Sequence, residues 1–414
     1  MKVLFISRRF YPNITGGGEI SAYYIAKSIK EQGHEVFVLT FTKNKEVKIH
    51  KSEGLTIFQV PLPTLKNFKI LSGMDYMYFQ IARLSLKYGK QINPDIIHLL
   101  NFESIHLTSI YLKKKLKCPI VATVNGPNFG CFVQNGIDYN RKTCINCKVG
   151  KRFLCSIKNW GTLKGVVYYG YSLWYMNMLK TSYKYIDKFF AVSSAMVPLL
   201  NNMGVPKNKI AVIHNPIEIK NKIKTNLRES MGIKNKKILL YAGRLAHDKG
   251  IEQTLEAIQN IDNVVYLIIG KKKGQYSYFK KLVNKLNIQK KVIFIGYLDN
   301  KELIKYYSIA DLVLLPCYVY ESLSRMLIEA LSYGIPLIAN DVGGNKDIIT
   351  NSINGFLIKK NSKKDLISKI NLILENKNLK KTMSINNVKK AKDNFSVKKI
   401  GKKIINEYNV LVGK

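Results

Sequence analysis

Residues 237–258 read KILLYAGRLAHDKGIEQTLEAI and set the architecture expected for the chain. The segment opens with a short apolar run, continues through a polar loop with two glycines, and shows helical spacing from Ile251 onward. A short apolar run followed by a loop and a helix is typical of a buried strand in a parallel sheet. The segment therefore predicts a strand, a loop and a helix in the order of a βαβ unit.

The same order recurs in both directions along the chain. Residues 2–7 (KVLFIS) precede the glycines of TGGGE, a helical segment and a second apolar run, HEVFVLT. Further strands are predicted at 56–60, 96–100, 120–124 and 189–192, and downstream of residue 258 in the runs VVYLIIG, KVIFIGY, DLVLLP, PLIAN and GFLI. About a dozen strands are too many for one open sheet, so the sequence predicts an α/β protein with two doubly wound, Rossmann-like domains that face a central cleft.

The expected domain boundaries follow from composition. A polar, lysine-rich segment near residues 218–226 separates the two series of strands. We therefore expect an N-terminal domain over 1–217 and a C-terminal domain over 227–385. Residues 386–414 have a helical, lysine-rich pattern and are expected to cover the fold, packing back toward the N-terminal domain. Ligands are expected at the carboxyl ends of the strands, in the cleft.

The charge of the chain is strongly basic but evenly spread. The 414 residues include 67 basic and 27 acidic side chains, a net charge of +40. Residues 1–215 carry 30 basic and 10 acidic groups, and the remainder carries 37 and 17, so each half has an excess of 20. Only eight of the basic residues are arginine. This pattern predicts a solvated lysine surface, with weak attraction to anionic surfaces and no specific nucleic-acid site.

No segment has the roughly 18 uninterrupted apolar residues that a membrane-spanning helix needs. Residues 165–179 (GVVYYGYSLWYMNML) are uncharged and aromatic-rich, with Lys164 and Lys180 on either side. Such a segment could lie at the surface of an anionic membrane, although the favoured interpretation is a helix packed on its own domain. The order of the first nine residues is the reverse of a signal peptide, so we expect a cytoplasmic protein, with the inner face of the membrane as a second location.

The loop 242–250 (AGRLAHDKG) carries the first candidate binding residues. Arg244 and Lys249 lie in the loop that Gly243 begins, and this loop leads directly into a helix. Two cations beside free backbone N–H groups at a helix N-terminus can bind a diphosphate. The alternative is a pair of ordinary surface cations.

The segment 321–339 (ESLSRMLIEALSYGIPLIA) carries the second set. Glu321 and Glu329 are eight residues apart, which places them within roughly 80° on one helix face and about 12 Å apart. That spacing suits two hydroxyl-bearing parts of one extended ligand. The backbone N–H groups of Leu323 and Ser324 would lie at the positive end of the same helix. Because the rest of the helix is apolar, two merely solvated glutamates are disfavoured.

In combination, these blocks resemble the retaining enzymes of glycosyltransferase family 4, which have the GT-B fold. The resemblance covers essentially the whole chain and rests on the order of the following blocks: FYPNITGGGE, GHEV, PDIIH (94–98), VSSAM (192–196), KIAVIHNPIE (209–218), YAGRLAHDKGIEQTLEAI (241–258), ESLSRMLIEALSYGIPLIANDVGG (321–344) and NGFLI (354–358). It implies a UDP- or GDP-linked sugar bound mainly by the C-terminal domain, a glycan or lipid-linked acceptor bound mainly by the N-terminal domain, and transfer with retention.

The resemblance also implies roles for single residues in the C-terminal domain. Arg244 and Lys249 would bind the diphosphate, Glu321 the hydroxyls of the donor sugar, and Glu329 the ribose. Charge develops on the departing phosphate, and fixed cations stabilise it. The chain contains no Asp-x-Asp triplet. We therefore predict transfer that needs no metal ion and no other cofactor.

In the N-terminal domain, Gly16 and Gly17 are expected to let their loop approach the donor, because neither has a Cβ atom. Asn125, followed by Gly126, stands where the family usually has His-Asp. Asparagine can still hydrogen-bond a sugar hydroxyl of the donor, but it cannot titrate.

Four of the six cysteines, Cys131, Cys144, Cys147 and Cys155, fall within 25 residues. Their spacing favours a structural zinc site and less strongly an iron–sulfur cluster. Free thiols and disulfides remain alternatives, although a cytosolic protein disfavours disulfides. A metal at this insert would order a long polar loop on the acceptor side.

Two other functions were weighed against sugar transfer. A non-hydrolysing sugar-nucleotide epimerase has two similar domains but needs acid–base groups around the sugar, which Asn125 does not supply. A catalytically silent protein of the same fold could bind polyanions or membranes, and a steep salt dependence of binding would indicate it.

Overall fold

The structure is a computed structural model that describes residues 1–12, 16–63, 72–133, 136–140, 142, 144–360 and 362–413. The chain forms two compact units. Unit 1 contains Met1–Pro216 together with Val397–Lys414, and unit 2 contains Ile217–Ser396. Unit 2 is therefore inserted, in sequence, into unit 1.

Unit 1 is built on an eight-stranded sheet in the order β3-β4-β2-β1-β5-β6-β7-β8. The strands are β1 (Lys2–Ser7), β2 (Glu35–Thr42), β3 (Lys48–Ser52), β4 (Leu55–Pro61), β5 (Ile96–Leu99), β6 (Ile120–Val124), β7 (Lys188–Ala191) and β8 (Ile210–Val212). All neighbours are parallel except β3, which is antiparallel to β4. The inner strands are mostly apolar because helices cover both faces of a parallel sheet.

The helices that precede unit 2 in the chain are α1 (Gly17–Glu31), α2 (Ser72–Ile92), α3 (His106–Lys115), α4 (Val149–Trp160), α5 (Thr162–Lys184) and α6 (Met196–Asn202). Helix α1 illustrates how they pack: its face with Ile25 and Ile29 is buried against Phe5 and Val38 of the sheet. Since β1 pairs with both β2 and β5, the chain reverses its direction of travel across the sheet at the β1/β5 boundary. Ligands of open α/β sheets bind at the carboxyl ends of strands beside such a boundary.

Unit 2 contains a six-stranded parallel sheet in the order β11-β10-β9-β12-β13-β14. Its strands are β9 (Lys237–Ala242), β10 (Val264–Ile269), β11 (Val292–Gly296), β12 (Leu312–Leu315), β13 (Leu337–Asn340) and β14 (Gly355–Ile358). Its helices are α7 (Leu227–Ser230), α8 (Ile251–Ile258), α9 (Tyr276–Lys285), α10 (Asn300–Ile309), α11 (Arg325–Ser332), α12 (Asn345–Ile348), α13 (Lys363–Glu375) and α14 (Lys377–Lys390). In this sheet the chain reverses its direction of travel between β9 and β12.

The last helix, α15 (Val397–Val412), belongs to the core of unit 1. Its side chains Ile400, Ile404 and Tyr408 are fully buried. The Tyr408 hydroxyl lies 2.6 Å from Nδ1 of His98, and the other ring nitrogen of His98 lies 2.6 Å from the hydroxyl of Thr123. Burial lowers the pKa of His98 to about 3, so this ring is neutral in the folded protein.

The two ends of unit 2 are held side by side. The backbone N–H of Ile217 donates to the carbonyl oxygen of Phe395 at 2.8 Å, and Ile217 forms a parallel bridge with Ser396. Both side chains, Ile217 and Phe395, are buried. The chain therefore leaves unit 1 and returns to it through adjacent segments.

Helices α4 and α5 form a hairpin in unit 1. They are separated by Gly161, which has the left-handed φ of 77°. A Cβ atom at Gly165 would lie only 2.7 Å from Cα of Ile157, so glycine permits the close approach of the two helices. Among the described residues, no helix is both long and apolar enough to cross a membrane.

Candidate functional site

In unit 2 the loops that follow β9 and β12 lie next to each other at the carboxyl edge of the sheet. Gly250, at the end of the first loop, has a φ of 74°. A Cβ atom there would lie 2.1 Å from the carbonyl oxygen of Pro316, which begins the second loop. Only glycine allows this contact. The contact brings the predicted residues 243–249 beside Glu321.

Lys249 and Glu321, predicted to bind different parts of the donor, form an ion pair. Both side chains are about five-sixths buried, with 17% and 16% of their surface exposed. Burial acts to lower the pKa of Lys249, but the negative charge of Glu321 and the hydrogen bond to it outweigh burial and raise that pKa above its usual value. Lys249 is therefore a fixed cation at the reversal point of the sheet.

Arg244 has a different environment from Lys249. Its side chain is 74% exposed, and its carboxylate neighbour is Asp248, at 3.6 Å. A contact of this kind between exposed groups stabilises little, so the guanidinium can turn to another anion. The backbone of the loop is fixed beneath it, because the buried Tyr241 hydroxyl donates to the carbonyl oxygen of Arg244 at 2.6 Å. Gly243 lies above the same ring, and a Cβ atom there would be 2.9 Å from that hydroxyl.

Glu329 lies on α11, as predicted, but it is already engaged. Nε of Arg325 lies 2.7 Å from its carboxylate, and the buried hydroxyl of Tyr307 donates to the other oxygen at 3.1 Å. Sequence reasoning missed both partners. The i,i+4 spacing of an arginine and a glutamate on one helix was the available signal for Arg325, and arginine is rare in this chain.

The start of α11 is built as expected for a helix N-terminus. The hydroxyl of Ser324 accepts a hydrogen bond from the N–H of Leu327, and Leu323 is nearly buried. The N–H of Gly344 donates to the carbonyl oxygen of Glu321 at 2.8 Å. The backbone that carries Glu321 is therefore held by the loop after β13.

In unit 1, Asn125 follows the carboxyl end of β6. Its side-chain N–H donates to the carbonyl oxygen of Leu100, after β5, at 3.0 Å. Its Oδ1 atom is buried and has no hydrogen-bond partner in the described part of the chain. Gly16 precedes α1 with extended backbone, and its N–H donates to Glu19 at 2.9 Å. Gly17 is the first residue of α1 and is exposed.

Unit 1 also has a polar network that sequence reasoning did not identify. Arg8, after β1, pairs with Glu103 at 3.0 Å. Asn101 accepts from the N–H of Arg8 and donates to Ser7 at 3.0 Å. These residues lie at the carboxyl ends of β1 and β5 or within four residues of them, so their position at the ends of apolar runs was the signal that could have found them.

The structure does not support the predicted zinc site at Cys131, Cys144, Cys147 and Cys155. All four are free thiols, and within the described residues no three His, Cys, Asp or Glu side chains are placed to hold a metal ion. The physical reason lies in burial, which raises the pKa of Cys147 to about 11 and also raises the pKa of Cys155, so both favour the neutral thiol over the thiolate that binds a metal. Helix α4 begins at Val149 and buries Cys155, and Cys144 bonds locally to the carbonyl oxygen of Asn146 at 3.4 Å.

The family follows from comparison with known proteins. Residues 15–221 match the family described as Glycosyltransferase Family 4, and residues 223–390 match Glycosyl transferases group 1. The chain belongs to this glycosyltransferase family. The two-sheet α/β architecture predicted from the sequence is confirmed, and it is the GT-B fold.

Three individual proteins illustrate the breadth of the family. An uncharacterised glycosyltransferase of Methanocaldococcus jannaschii is 23% identical over 99% of this chain and 98% of its own length. Alpha-monoglucosyldiacylglycerol synthase of Streptococcus pneumoniae is 24% identical over 86% of this chain and 75% of its own length. The structure of HepE from Anabaena in complex with UDP is 17% identical, with a TM-score of 0.73 over 99% of this chain and 100% of that one.

Proposed function

We propose that the chain is a retaining hexosyltransferase that moves a sugar from a UDP- or GDP-linked donor to a glycan or lipid-linked glycan. The observation that carries the proposal is the Lys249–Glu321 pair at the reversal point of the unit 2 sheet, with Arg244 in the same loop. In this proposal unit 2 binds the donor and unit 1 binds the acceptor. The complex of the similar HepE with UDP supports the uridine form of the donor.

The proposed chemistry is stabilisation of the leaving group. Breaking the bond between the anomeric carbon and the β-phosphate oxygen leaves negative charge on the nucleoside diphosphate. Lys249, held by Glu321, and the exposed Arg244 would stabilise that charge without a metal ion. Glu321 would also accept hydrogen bonds from sugar hydroxyls, and Glu329, oriented by Arg325, would accept them from the ribose.

Release of free nucleoside diphosphate from a panel of sugar nucleotides tests this function. We expect Arg244→Ala and Lys249→Ala each to lower the rate by about 100-fold, because each removes one preorganised charge. Lys285→Ala, which removes an exposed lysine at the end of α9, is the matched control and keeps the wild-type rate. EDTA is expected to have no effect. Full activity of both site variants would contradict the assignment.

We also propose that the α4–α5 hairpin docks on an anionic membrane. Eight large apolar side chains of the hairpin are exposed, a feature that marks interaction surfaces. They are Val149, Phe153, Leu154, Leu163, Val166, Val167, Leu173 and Trp174. From residue 149 to residue 184 the hairpin has six basic and no acidic residues, which complements anionic lipid. The name of the similar diacylglycerol-modifying synthase of S. pneumoniae agrees with a lipid acceptor.

Co-sedimentation with vesicles tests docking. Binding to vesicles that contain phosphatidylglycerol should exceed binding to pure phosphatidylcholine, and Leu163→Ser with Val167→Ser should weaken it about tenfold. Val410→Ser removes an apolar side chain of comparable exposure from α15 and is the control. Equal loss in the control, or equal binding to both vesicles, would overturn the docking surface.

A further inference from the structure

A cavity of about 470 Å³ lies in unit 1 between the hairpin, α6 and the segment that precedes α4. Its volume is within the range of small-molecule sites. The basic side chains Lys148, Arg152 and Lys180 line part of it. Apolar side chains, among them Leu173 and Met176, also line it, and among the residues that the structure describes no aspartate or glutamate does so. The cavity therefore combines positive charge with an apolar wall.

Arg152 is the unusual residue of this cavity. It is 91% buried, with 9% of its surface exposed. One terminal nitrogen donates to the carbonyl oxygen of Ser172 at 3.0 Å, but its Nε–H is buried and has no partner in the described part of the chain. No described carboxylate pairs with it. A buried cation without a counter-ion is costly, so Arg152 favours an anionic ligand.

The other polar groups of the cavity do not supply that anion. Cys147 lines the cavity, but burial raises the pKa of its thiol to about 11, so it is neutral at physiological pH. Asn146, Asn177 and Asn202 add uncharged amides. Such groups can hydrogen-bond an oxyanion without competing for the charge of Arg152.

The apolar wall shows what else the ligand carries. Val149 and Leu173 line the cavity, and both are also among the eight exposed apolar side chains of the hairpin, with 50% and 42% of their surface exposed. A phosphate in the cavity could therefore continue into an apolar chain that lies against Val149 and Leu173. This is the arrangement of an amphiphilic phosphate ester.

We propose that this cavity is a binding site for a phosphate group carried on an apolar chain, with Arg152, Lys148 and Lys180 as its cationic ligands. Two sources share this chemistry: an anionic phospholipid of the bilayer, or a lipid-linked phosphate that serves as acceptor. The proposal of a binding site depends only on the cavity and its lining residues. Its use as an acceptor site rests on the proposed glycosyltransferase activity.

Methionine-methyl NMR of the full chain tests the site without relying on activity. Met176 and Met203 line the cavity and report on its occupancy. The probe is the short-chain ester dihexanoyl phosphatidic acid, and dihexanoyl phosphatidylcholine, whose headgroup carries no net charge, is the comparison. We expect saturable shifts of both methyl resonances with phosphatidic acid and an affinity at least about tenfold weaker for phosphatidylcholine.

Variants separate charge from structure. Arg152→Met tests the guanidinium directly, and Lys148→Gln with Lys180→Gln keeps the test valid if that variant does not fold, because both lysines are exposed. Each variant should weaken phosphatidic acid binding about tenfold or more. Lys184→Gln, one turn beyond Lys180 on α5 and outside the cavity lining, is the matched control and should change binding less than about twofold. No saturable shift, or equal affinity in Lys148→Gln/Lys180→Gln and the control, would overturn the proposal.

A competition experiment identifies the source of the phosphate. If saturating phosphatidic acid displaces the protein from phosphatidylglycerol vesicles, the bilayer headgroup occupies the cavity; if vesicle binding is unchanged, a separate amphiphilic ester does. Both results support the site. Nucleoside diphosphate release into water is measured in parallel, and its absence in the wild type would reject the glycosyltransferase function while leaving the binding result intact.

Discussion

His106 provides a stability prediction that can be worked out numerically. The ring lies in α3, is fully buried and stacks on Tyr78 with 4.3 Å between ring centroids. Neither ring nitrogen has a hydrogen-bond partner among the described residues. Burial lowers the pKa of His106 from its ordinary value of 6.5 to about 3. The His106 ring therefore stays neutral in the folded protein under conditions in which it is protonated in the unfolded chain.

The sign of the pH dependence follows directly. Below pH 6.5 the unfolded state takes up a proton that the folded state does not, so stability falls as the pH falls from 6.5 toward 3. At pH 5 the loss from this single ring amounts to about 2 kcal/mol. Replacing it by phenylalanine, in His106→Phe, removes this loss. The variant should also gain about 1 kcal/mol at pH 7.5, since it no longer buries two unpaired nitrogens.

Urea unfolding followed by tryptophan fluorescence measures the stability of unit 1, which contains His106. Both tryptophans, Trp160 and Trp174, lie in unit 1, so the signal does not depend on unit 2. Between pH 7.5 and pH 5 the wild type should lose about 2 kcal/mol more than His106→Phe. His50→Phe, which changes an exposed ring on β3, should keep the wild-type profile. Parallel pH profiles for wild type and His106→Phe would refute the buried neutral ring.

Three further variants test other contacts. Gly250→Ala should lower the stability of unit 2 by about 2 kcal/mol or more and reduce nucleoside diphosphate release, because its Cβ would overlap the carbonyl oxygen of Pro316; thermal melting checks this. Tyr408→Phe should cost about 1 to 3 kcal/mol in urea, because it leaves a nitrogen of the buried His98 without its partner. Asp311→Asn should cost unit 2 about 2 kcal/mol at pH 7, and this cost should shrink as the pH falls below the ordinary aspartate pKa toward the lowered pKa of the folded wild type; wild-type stability measured over the same pH range is the comparison.

The Asp311 prediction depends on a specific balance of forces. Burial acts to raise the pKa of Asp311, but the charges of Lys380 and Arg228 and a hydrogen bond from the N–H of Ile238 hold that pKa below its usual range. At pH values above the pKa of an unfolded aspartate, the carboxylate therefore stabilises the folded protein. This stabilisation is lost as the pH falls through the lower pKa of Asp311 in the folded protein.

The strands of unit 2 could be predicted from sequence because the sheet is buried on both faces. All six apolar runs identified there became strands, and in β10 every residue is buried. Strand β3 could not be found in this way. Its residues Lys48–Ser52 lie at the sheet edge and four of the five are exposed, so its sequence lacks the apolar pattern of the other strands.

The candidate site shows a different limit. Arg244 and Lys249 could be selected because their loop connects a strand to a helix, but their distance from Glu321 depends on which strands are neighbours. Periodicity does not encode that β9 lies beside β12. The engagement of Glu329 by Tyr307 likewise requires tertiary contact. For the cysteines, spacing indicated a metal, but the burial that favours the thiol form of Cys147 and Cys155 depends on tertiary packing, and spacing alone does not contain that information.

The topology of unit 1 has a consequence for how the protein is made. Residues 397–412, which fill the core beside His98, leave the ribosome after every residue of unit 2 has been synthesised. During translation unit 2 can fold as soon as its two ends, which lie side by side, have been synthesised. The first 216 residues still lack α15 at that stage, so the apolar surface that α15 covers is exposed. A protein truncated after residue 396 would therefore contain a complete unit 2 and an incomplete unit 1, and unit 1 would be exposed to chaperones and proteases.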